Sequence, residues 1–216
     1  MNKCVVVLSY KERANLEKLL RSIVGEQIVC VIDGDDGSVG MAQWFAQHVD
    51  YSKDKRGYGN ALKAGLNIAS CLGYTHATVM DVGTCNPQYL DIEFSADILV
   101  RAREFDKLGI RAILSLAGAA TLSLLTHELI RDATHGYRTY NLKSVIGLLP
   151  YLKSNGHATN MELLGLAIKA GRTVEYASVP YVLDASTQLR NTDIKEALKV
   201  ALALMKGDYD CLTQAE

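Results

Sequence analysis

Asp132-Ala133-Thr134-His135-Gly136-Tyr137-Arg138 sets an acid, two polar side chains, a turn glycine and an arginine in one short stretch at the edge of a long apolar helical pattern. That set suits a phosphate or a sugar. A guanidinium matches phosphate oxygens with a fixed fork of donors, and an imidazole near its ordinary pKa can take a proton from a hydroxyl. Two more acids, Glu12 and Asp33, stand just beyond the apolar runs Val5 to Leu8 and Val29 to Ile32. Acids placed there can accept hydrogen bonds from a ribose or a nucleobase, and a glycine-containing turn after Asp33 lets backbone N–H groups approach the ligand. Asp81 closes a third apolar run, Ala77 to Met80, and Arg101, Arg103 and Arg111 follow a fourth.

These side chains need elements to hold them. Cys4 to Leu8, Ile28 to Ile32 and Ala77 to Met80 read as buried strands, and Asp97 to Arg101 as another. Ala14 to Val24 carries helical spacing through Leu16, Leu19, Leu20 and Ile23, and Met41 to His48 and Gly59 to Leu72 read as further helices. Alternation of short strands with helices argues for an α/β sheet that binds ligands at the carboxyl ends of its strands. Later in the chain the expected helices are Arg111 to Ile130, Tyr140 to Tyr151, Asn160 to Ala170 and Asp193 to Met205, with a strand from Thr173 to Leu183. Pro180 argues that this strand is an edge or ends there.

At 216 residues and 49% hydrophobic, the chain fits one domain, 1–216, with a donor-binding half at 1–90 and an acceptor-binding half at 91–216. A formal charge of -1 gives no overall footprint for a polyanion, although Lys53, Lys55, Arg56 and Lys63 make a local basic cluster. Cys4, Cys30, Cys71, Cys85 and Cys211 have no CxxC or Cys/His spacing, which favours reduced thiols in a cytoplasmic protein. No signal peptide is read at the start. The uncharged stretch Ala112 to His127 is too short to span a bilayer and reads as a buried or surface-lying helix, which leaves peripheral membrane contact open.

Four segments in order resemble the active-site half of a family 2 glycosyltransferase, in particular its dolichyl/polyprenyl-phosphate mannosyltransferase branch. Leu8-Ser9-Tyr10-Lys11-Glu12 keeps the glutamate of that family's first motif and lacks its proline and asparagine. Asp33-Gly34-Asp35-Asp36-Gly37-Ser38 aligns with its Asp-Asp-Gly-Ser either through Asp33 or through the pair Asp35 and Asp36. Gly57, Gly59, Ala61 and Gly65 match its glycine-rich helix start, where glycines permit close approach to a nucleotide and a helix N-terminus favours anions. Asp81 matches the first acid of the metal-binding Asp-x-Asp, while Gly83 stands where the second would be. Asp132, Thr134, Gly136 and Arg138 match Asp-x-Thr-Ser-Gly-Phe-Arg, with His135 replacing serine.

The resemblance implies a glycosyltransferase A-type, Rossmann-like nucleotide-binding fold with a mostly parallel mixed sheet. It implies transfer of a sugar from a nucleoside-diphosphate sugar to a polyprenyl phosphate or hydroxyl acceptor, inverting the anomeric centre. Glu12, Asp33, Asp35, Gly57, Gly59, Asp81, Arg101, Arg111 and, by a loose alignment, Arg190 would contact donor or phosphate. Asp81 would hold Mg2+ or Mn2+, which neutralises the departing diphosphate. Asp132 would orient or activate the acceptor, Arg138 would hold phosphate or brace the loop, and His135 is the alternative base for a hydroxyl. The competing readings are glycosylation of modified DNA bases, with Lys53, Lys55, Arg56, Arg101 and Arg103 tracking the backbone, nucleotidyl transfer, and non-catalytic binding of a sugar nucleotide.

Overall fold

The runs richest in valine and isoleucine lie where a sheet is covered on both faces. The computed structural model describes residues 2–104, 110–180, 191–206 and 209. Its strands are β1 (Lys3–Tyr10), β2 (Ile28–Asp33), β3 (His48–Ser52), β4 (His76–Asp81), β5 (Ile98–Glu104), β6 (Arg138–Asn141) and β7 (Val174–Pro180). The helices are α1 (Arg13–Ser22), α2 (Ser38–Ala42), α3 (Tyr58–Cys71), α4 (Ile110–Thr126), α5 (Leu142–Val145), α6 (Thr159–Lys169) and α7 (Asn191–Met205). The strands form one sheet in the order β3-β2-β1-β4-β6-β5-β7. β6 pairs antiparallel with both its neighbours, and the other pairings are parallel.

Alternation along β1 divides the core. Val5 and Val7 face Leu16, Leu19 and Leu20 of α1, while Cys4, Val6 and Leu8 face α3 and the helices beyond it. Burying each such valine, leucine or isoleucine stabilises by roughly 1.5–3 kcal/mol. Gly65 sits where α3 crosses β1, and a Cβ there would run into Val6, so the close crossing requires glycine. The carboxyl ends of β1, β2 and β4 place Glu12, Asp33 and Asp81 along one end of the sheet.

Two sequence-based assignments fail. The expected helix Met41 to His48 is the short α2 followed by turns, and His48–Ser52 is the edge strand β3, whose residues are exposed or half-buried and show no apolar run. The expected helix Tyr140 to Tyr151 begins instead as the end of β6, then continues as α5 and a 3-10 turn, Ile146–Tyr151, that contains Pro150. Proline removes a helical donor and clashes with the preceding turn, which breaks the pattern there. Part of the expected strand Thr173 to Leu183, beyond Pro180, lies outside the described residues.

Candidate functional site

On the donor side, β2 ends in Asp33, which is buried and accepts hydrogen bonds from the Arg56 backbone N at 2.8 Å and from its Nε at 2.7 Å. Arg56 also pairs with Asp50. One terminal nitrogen of this guanidinium is buried and has no hydrogen-bond partner among the described residues. Asp36 accepts from the backbone N of Arg13 and of Ser38, both at 3.0 Å, and so ties the starts of α1 and α2 together. Asp35 is exposed at the tip of the same turn. Tyr10 ends β1 with its ring part-exposed and the Lys55 ammonium 4.2 Å from its centroid.

The glycines at the start of α3 do a different job from the one expected. The Gly59 N–H donates to the Asn155 carbonyl at 3.0 Å, the Asn60 N–H donates to Asn155 Oδ1 at 2.9 Å, and Asn155 Nδ2 donates to the Arg56 carbonyl. A Cβ at Gly57 would meet the Asn155 side chain, and one at Gly59 would meet Thr159 and Ser154. Close approach here is to the protein's own loop. The Gly59 and Asn60 donors are already occupied by Asn155, which corrects the anion-binding assignment of Gly59, and the close approach at Gly57 is to the Asn155 side chain.

That loop is held from the acceptor half by two carboxylates. Glu162 of α6 accepts from the Lys153 and Ser154 backbone N–H groups, and Glu196 of α7 accepts from those of Asn155 and Gly156. His157, next along, is exposed and stacks on Tyr58 with ring centroids 4.6 Å apart. The Tyr58 hydroxyl pairs with Asn160 and sits against Gly136, where a Cβ would collide with it. Burial and then the Asp81 charge push the Tyr58 hydroxyl well above its ordinary value.

Asp81 is the unsettled acid of the molecule. Burial, and then the neighbouring Glu12, raise its carboxyl to about 7. Its backbone N–H meets Cys85 Sγ at 3.3 Å, and burial pushes that thiol up to about 12. No hydrogen bond reaches the Asp81 carboxylate from the described residues, and among them no group of three or more His, Cys, Asp or Glu forms a ready metal cage. Asp81 and the neighbouring Glu12 bring two carboxylates together, and carboxylates are hard oxygen donors. They fit Mg2+ or Mn2+ that takes its remaining ligands from water and a bound diphosphate.

In the segment 132–138 the side chains expected to act on an acceptor are turned inward, and of the two roles expected for Arg138 the loop-bracing one fits its contacts. Asp132 is 1% exposed and accepts from Arg103 Nε at 2.8 Å and Nη2 at 3.0 Å, from the backbone N–H of Arg103, Thr134 and His135, and from the Ser115 hydroxyl. Burial alone would raise its carboxyl, but the Arg103 charge and these hydrogen bonds hold it well below the usual carboxylate range. A carboxylate so saturated is not a base. His135 is also buried, and its Nδ1 lies 2.6 Å from the Arg101 carbonyl. A carbonyl only accepts, so Nδ1 carries the proton. Burial and then Arg103 lower this imidazole to about 4, which removes it as an efficient base at neutral pH.

Arg138 and Arg101 are both fully buried. Arg138 donates to the carbonyls of Asn160 and Ala133 at 2.6 and 2.7 Å, so it braces the loop and does not hold a ligand phosphate. Arg101 donates to the carbonyls of Tyr89 and Leu90 and to Thr139, and its guanidinium lies 4.3 Å from the Tyr137 ring centroid. Its expected phosphate contact is therefore corrected as well. With Arg101 and Arg103 both internal, the basic patch expected for DNA loses two members. The Arg111 side chain and all of Arg190 lie outside the described residues.

The structure thus brings Glu12, Asp33 and Asp81 to one end of the sheet, with Asp35 on the adjoining turn, and turns Asp132, His135, Arg138 and Arg101 inward. Sequence reasoning missed Arg56, Tyr58, Asn155, His157 and Glu196 as organisers of the site. Only Arg56 and Tyr58 carried a signal, since they flank the glycine of the α3 start.

No protein-family model matches the sequence. Among solved structures, the chain is similar to mannosyl-3-phosphoglycerate synthase from Rubrobacter xylanophilus, with a TM-score of 0.69, 16% identity, and coverage of 100% of this chain and 77% of that one. It is also similar to glucosyl-3-phosphoglycerate synthase from Mycobacterium tuberculosis in complex with uridine diphosphate, with a TM-score of 0.67, 13% identity, and coverage of 95% and 80%. Another structure of that enzyme is in complex with Mn2+, uridine-diphosphate-glucose and glycerol 3-phosphate. A more distant likeness is to CMP:2-keto-3-deoxy-manno-octonic acid synthetase complexed with CTP, with a TM-score of 0.51, 11% identity, and coverage of 96% and 100%. At these identities the likeness establishes architecture: the chain has the glycosyltransferase A-type α/β fold with a mostly parallel mixed sheet.

Proposed function

We propose that this chain is an enzyme that transfers a glycosyl group from a nucleoside-diphosphate sugar to an acceptor at the carboxyl ends of β1, β2 and β4. The observation that carries the reading is Asp81: a carboxylate raised to about 7 by burial and Glu12, with no hydrogen-bond donor among the described residues. A group left in that state is costly unless a ligand completes it. One solved enzyme of the same architecture, glucosyl-3-phosphoglycerate synthase, holds uridine diphosphate, with Mg2+ in one structure, and uridine-diphosphate-glucose with Mn2+ in another.

Asp81, with Glu12 beside it, would hold a divalent cation, and that ion supplies positive charge where the diphosphate departs. Asp33 would act through Arg56, which it fixes beside the carboxyl end of β2, where a nucleotide would lie. Tyr10, exposed beside Asp33, offers a face for the base, and Asp35 on the following turn offers an acceptor for ribose. Tyr58, whose hydroxyl feels the Asp81 charge, and His157, stacked on its ring, would stand on the acceptor side of the metal.

The acceptor divides the proposal by the proton it carries. Neither Asp132 nor His135 takes a proton at neutral pH, which supports an acceptor that arrives as an anion, such as a polyprenyl phosphate. A hydroxyl acceptor would need a base elsewhere, and His157 is the exposed imidazole beside Tyr58. The related enzyme crystallised with glycerol 3-phosphate supports this second arm. A DNA acceptor retains only Lys53, Lys55 and Arg56 of its expected patch, and would show itself by a steep loss of binding with salt.

The test is turnover of a panel of nucleoside-diphosphate sugars, with and without EDTA, by wild type and Asp81→Asn. Release of nucleoside diphosphate that EDTA and the substitution both suppress is expected. Binding of sugar nucleotides with no turnover under any condition would leave a binding protein instead.

A further inference from the structure

α4 and α7 touch one another and both lie on α6, where Leu122 of α4 and Leu204 of α7 meet above Gly165. Their inward faces are Ala112, Ser115, Ala119 and Leu122 on α4, and Val200, Ala201 and Leu204 on α7. The opposite faces should then be polar. They are apolar instead. Ile113, Leu116 and Leu124 project from α4, Leu124 with 78% exposure, and Leu198, Leu202 and Met205 project from α7, Met205 with 61%. Exposed apolar side chains grouped on adjoining helices mark an interaction surface.

Charge decides what covers it. From Ala112 to Thr126 α4 carries no charged residue, and its Ser123 and Thr126 hydroxyls donate to the carbonyls of Ala119 and Leu122, four residues back, so they do not demand water. Among the described residues, the exposed charges on and just after α7 beside Leu198, Leu202 and Met205 are Lys195, Lys199 and Lys206. The acid of α7 nearest this stripe, Glu196, is turned toward Asn155 and Gly156. Lysines flanking an apolar helical stripe place ammonium groups at the phosphate level while the leucines enter the acyl region. A second copy of the chain packed on the same face would bring lysine rows of like charge together. No described helix is long and apolar enough to cross a membrane, so the helices would lie on the surface.

We propose that the outer face of α4 and α7 docks on an anionic lipid bilayer. Glu196 on α7 also holds the loop that covers the start of α3, so the docked face borders the candidate site. The surface stands on its own residues, and its failure would leave the transfer reaction untouched.

Sedimentation of the full chain with phosphatidylcholine vesicles, with and without phosphatidylglycerol, tests it. Binding is expected only with phosphatidylglycerol, weakening with salt and by about fivefold for each of Lys195→Glu and Lys199→Glu. Leu198→Glu and Leu202→Glu should abolish it, with melting temperature as the check on folding. If the leucine variants do not fold, the lysine variants alone decide. Wild type that ignores phosphatidylglycerol vesicles, or variants that bind like wild type, would overturn the proposal. So would a concentration-dependent dimer that Leu202→Glu dissociates while vesicles recruit nothing.

Discussion

Asp81 and Asp132 occupy similar sequence settings, each an acid close to a buried strand and a turn, yet their surroundings are opposite. Asp132 is met by both a charged guanidinium and three backbone N–H groups, and its charge is fully compensated inside the protein. Asp81 faces another carboxylate and burial without such partners. The first acid is architecture, because Arg103 and three backbone N–H groups converge on it and would lose a shared acceptor with its removal. The second is held at a cost to the fold, which is the condition of a group that waits for a ligand.

The largest expected effect falls on the saturated side. Asp132→Ala should cost about 3–5 kcal/mol of stability by urea denaturation, the range for removing one partner of a buried ion pair. A loss below about 1 kcal/mol would remove the contrast. On the unsaturated side, Asp81→Asn should lower turnover by about 100-fold or more, on the order of 3 kcal/mol in the transition state, without a loss of stability.

The pH dependence sharpens the same contrast. The unfolded Asp81 carboxyl loses its proton near its ordinary value of 3.8, while the folded one keeps it to about 7, so the folded state binds more protons between these limits. Stability from this group therefore falls as pH rises through that window, by at most about 4 kcal/mol. Asp81→Asn should be more heat-stable than wild type at pH 8 and equal to it at pH 3. Asp132 has the reverse sign, its contribution present at neutral pH and lost only in acid below the usual carboxylate range. Thermal melts of both variants across pH check the two signs, and parallel curves would contradict the assignment.

Smaller effects test the organiser loop. Asn155→Ala removes two side-chain hydrogen bonds at the start of α3 and should weaken nucleotide affinity several-fold, corresponding to about 1 kcal/mol. Unchanged affinity by calorimetry would confine Asn155 to folding. The smallest expected change is at His135, whose ring signals should show no titration between pH 5 and 8 by NMR, since burial holds it at about 4.

The sheet centre was legible because β1, β2 and β4 are covered on both faces and so read as apolar runs. β3 was not, since an edge strand half open to water can carry His48, Asp50 and Ser52. β6 was hidden for a different reason: Arg138 and Thr139 are polar residues inside the sheet, and only distant partners, Asn160 and Ala133 for Arg138, Thr78 and Arg101 for Thr139, make them tolerable there. The same limit governed the candidate site. Residue type marked Asp81, Asp132 and Arg101 equally as chemical, and what separates them is how many donors or acceptors the fold brings to each.

The most direct measurement is a calorimetric titration of Mn2+ with a nucleoside diphosphate into wild type, Asp81→Asn and Asp132→Asn, restricted to variants that melt cooperatively. Loss of metal-dependent nucleotide binding in Asp81→Asn, with binding retained in folded Asp132→Asn, is the expected result. Equal affinity of wild type and Asp81→Asn, or selective loss in Asp132→Asn, would contradict the account.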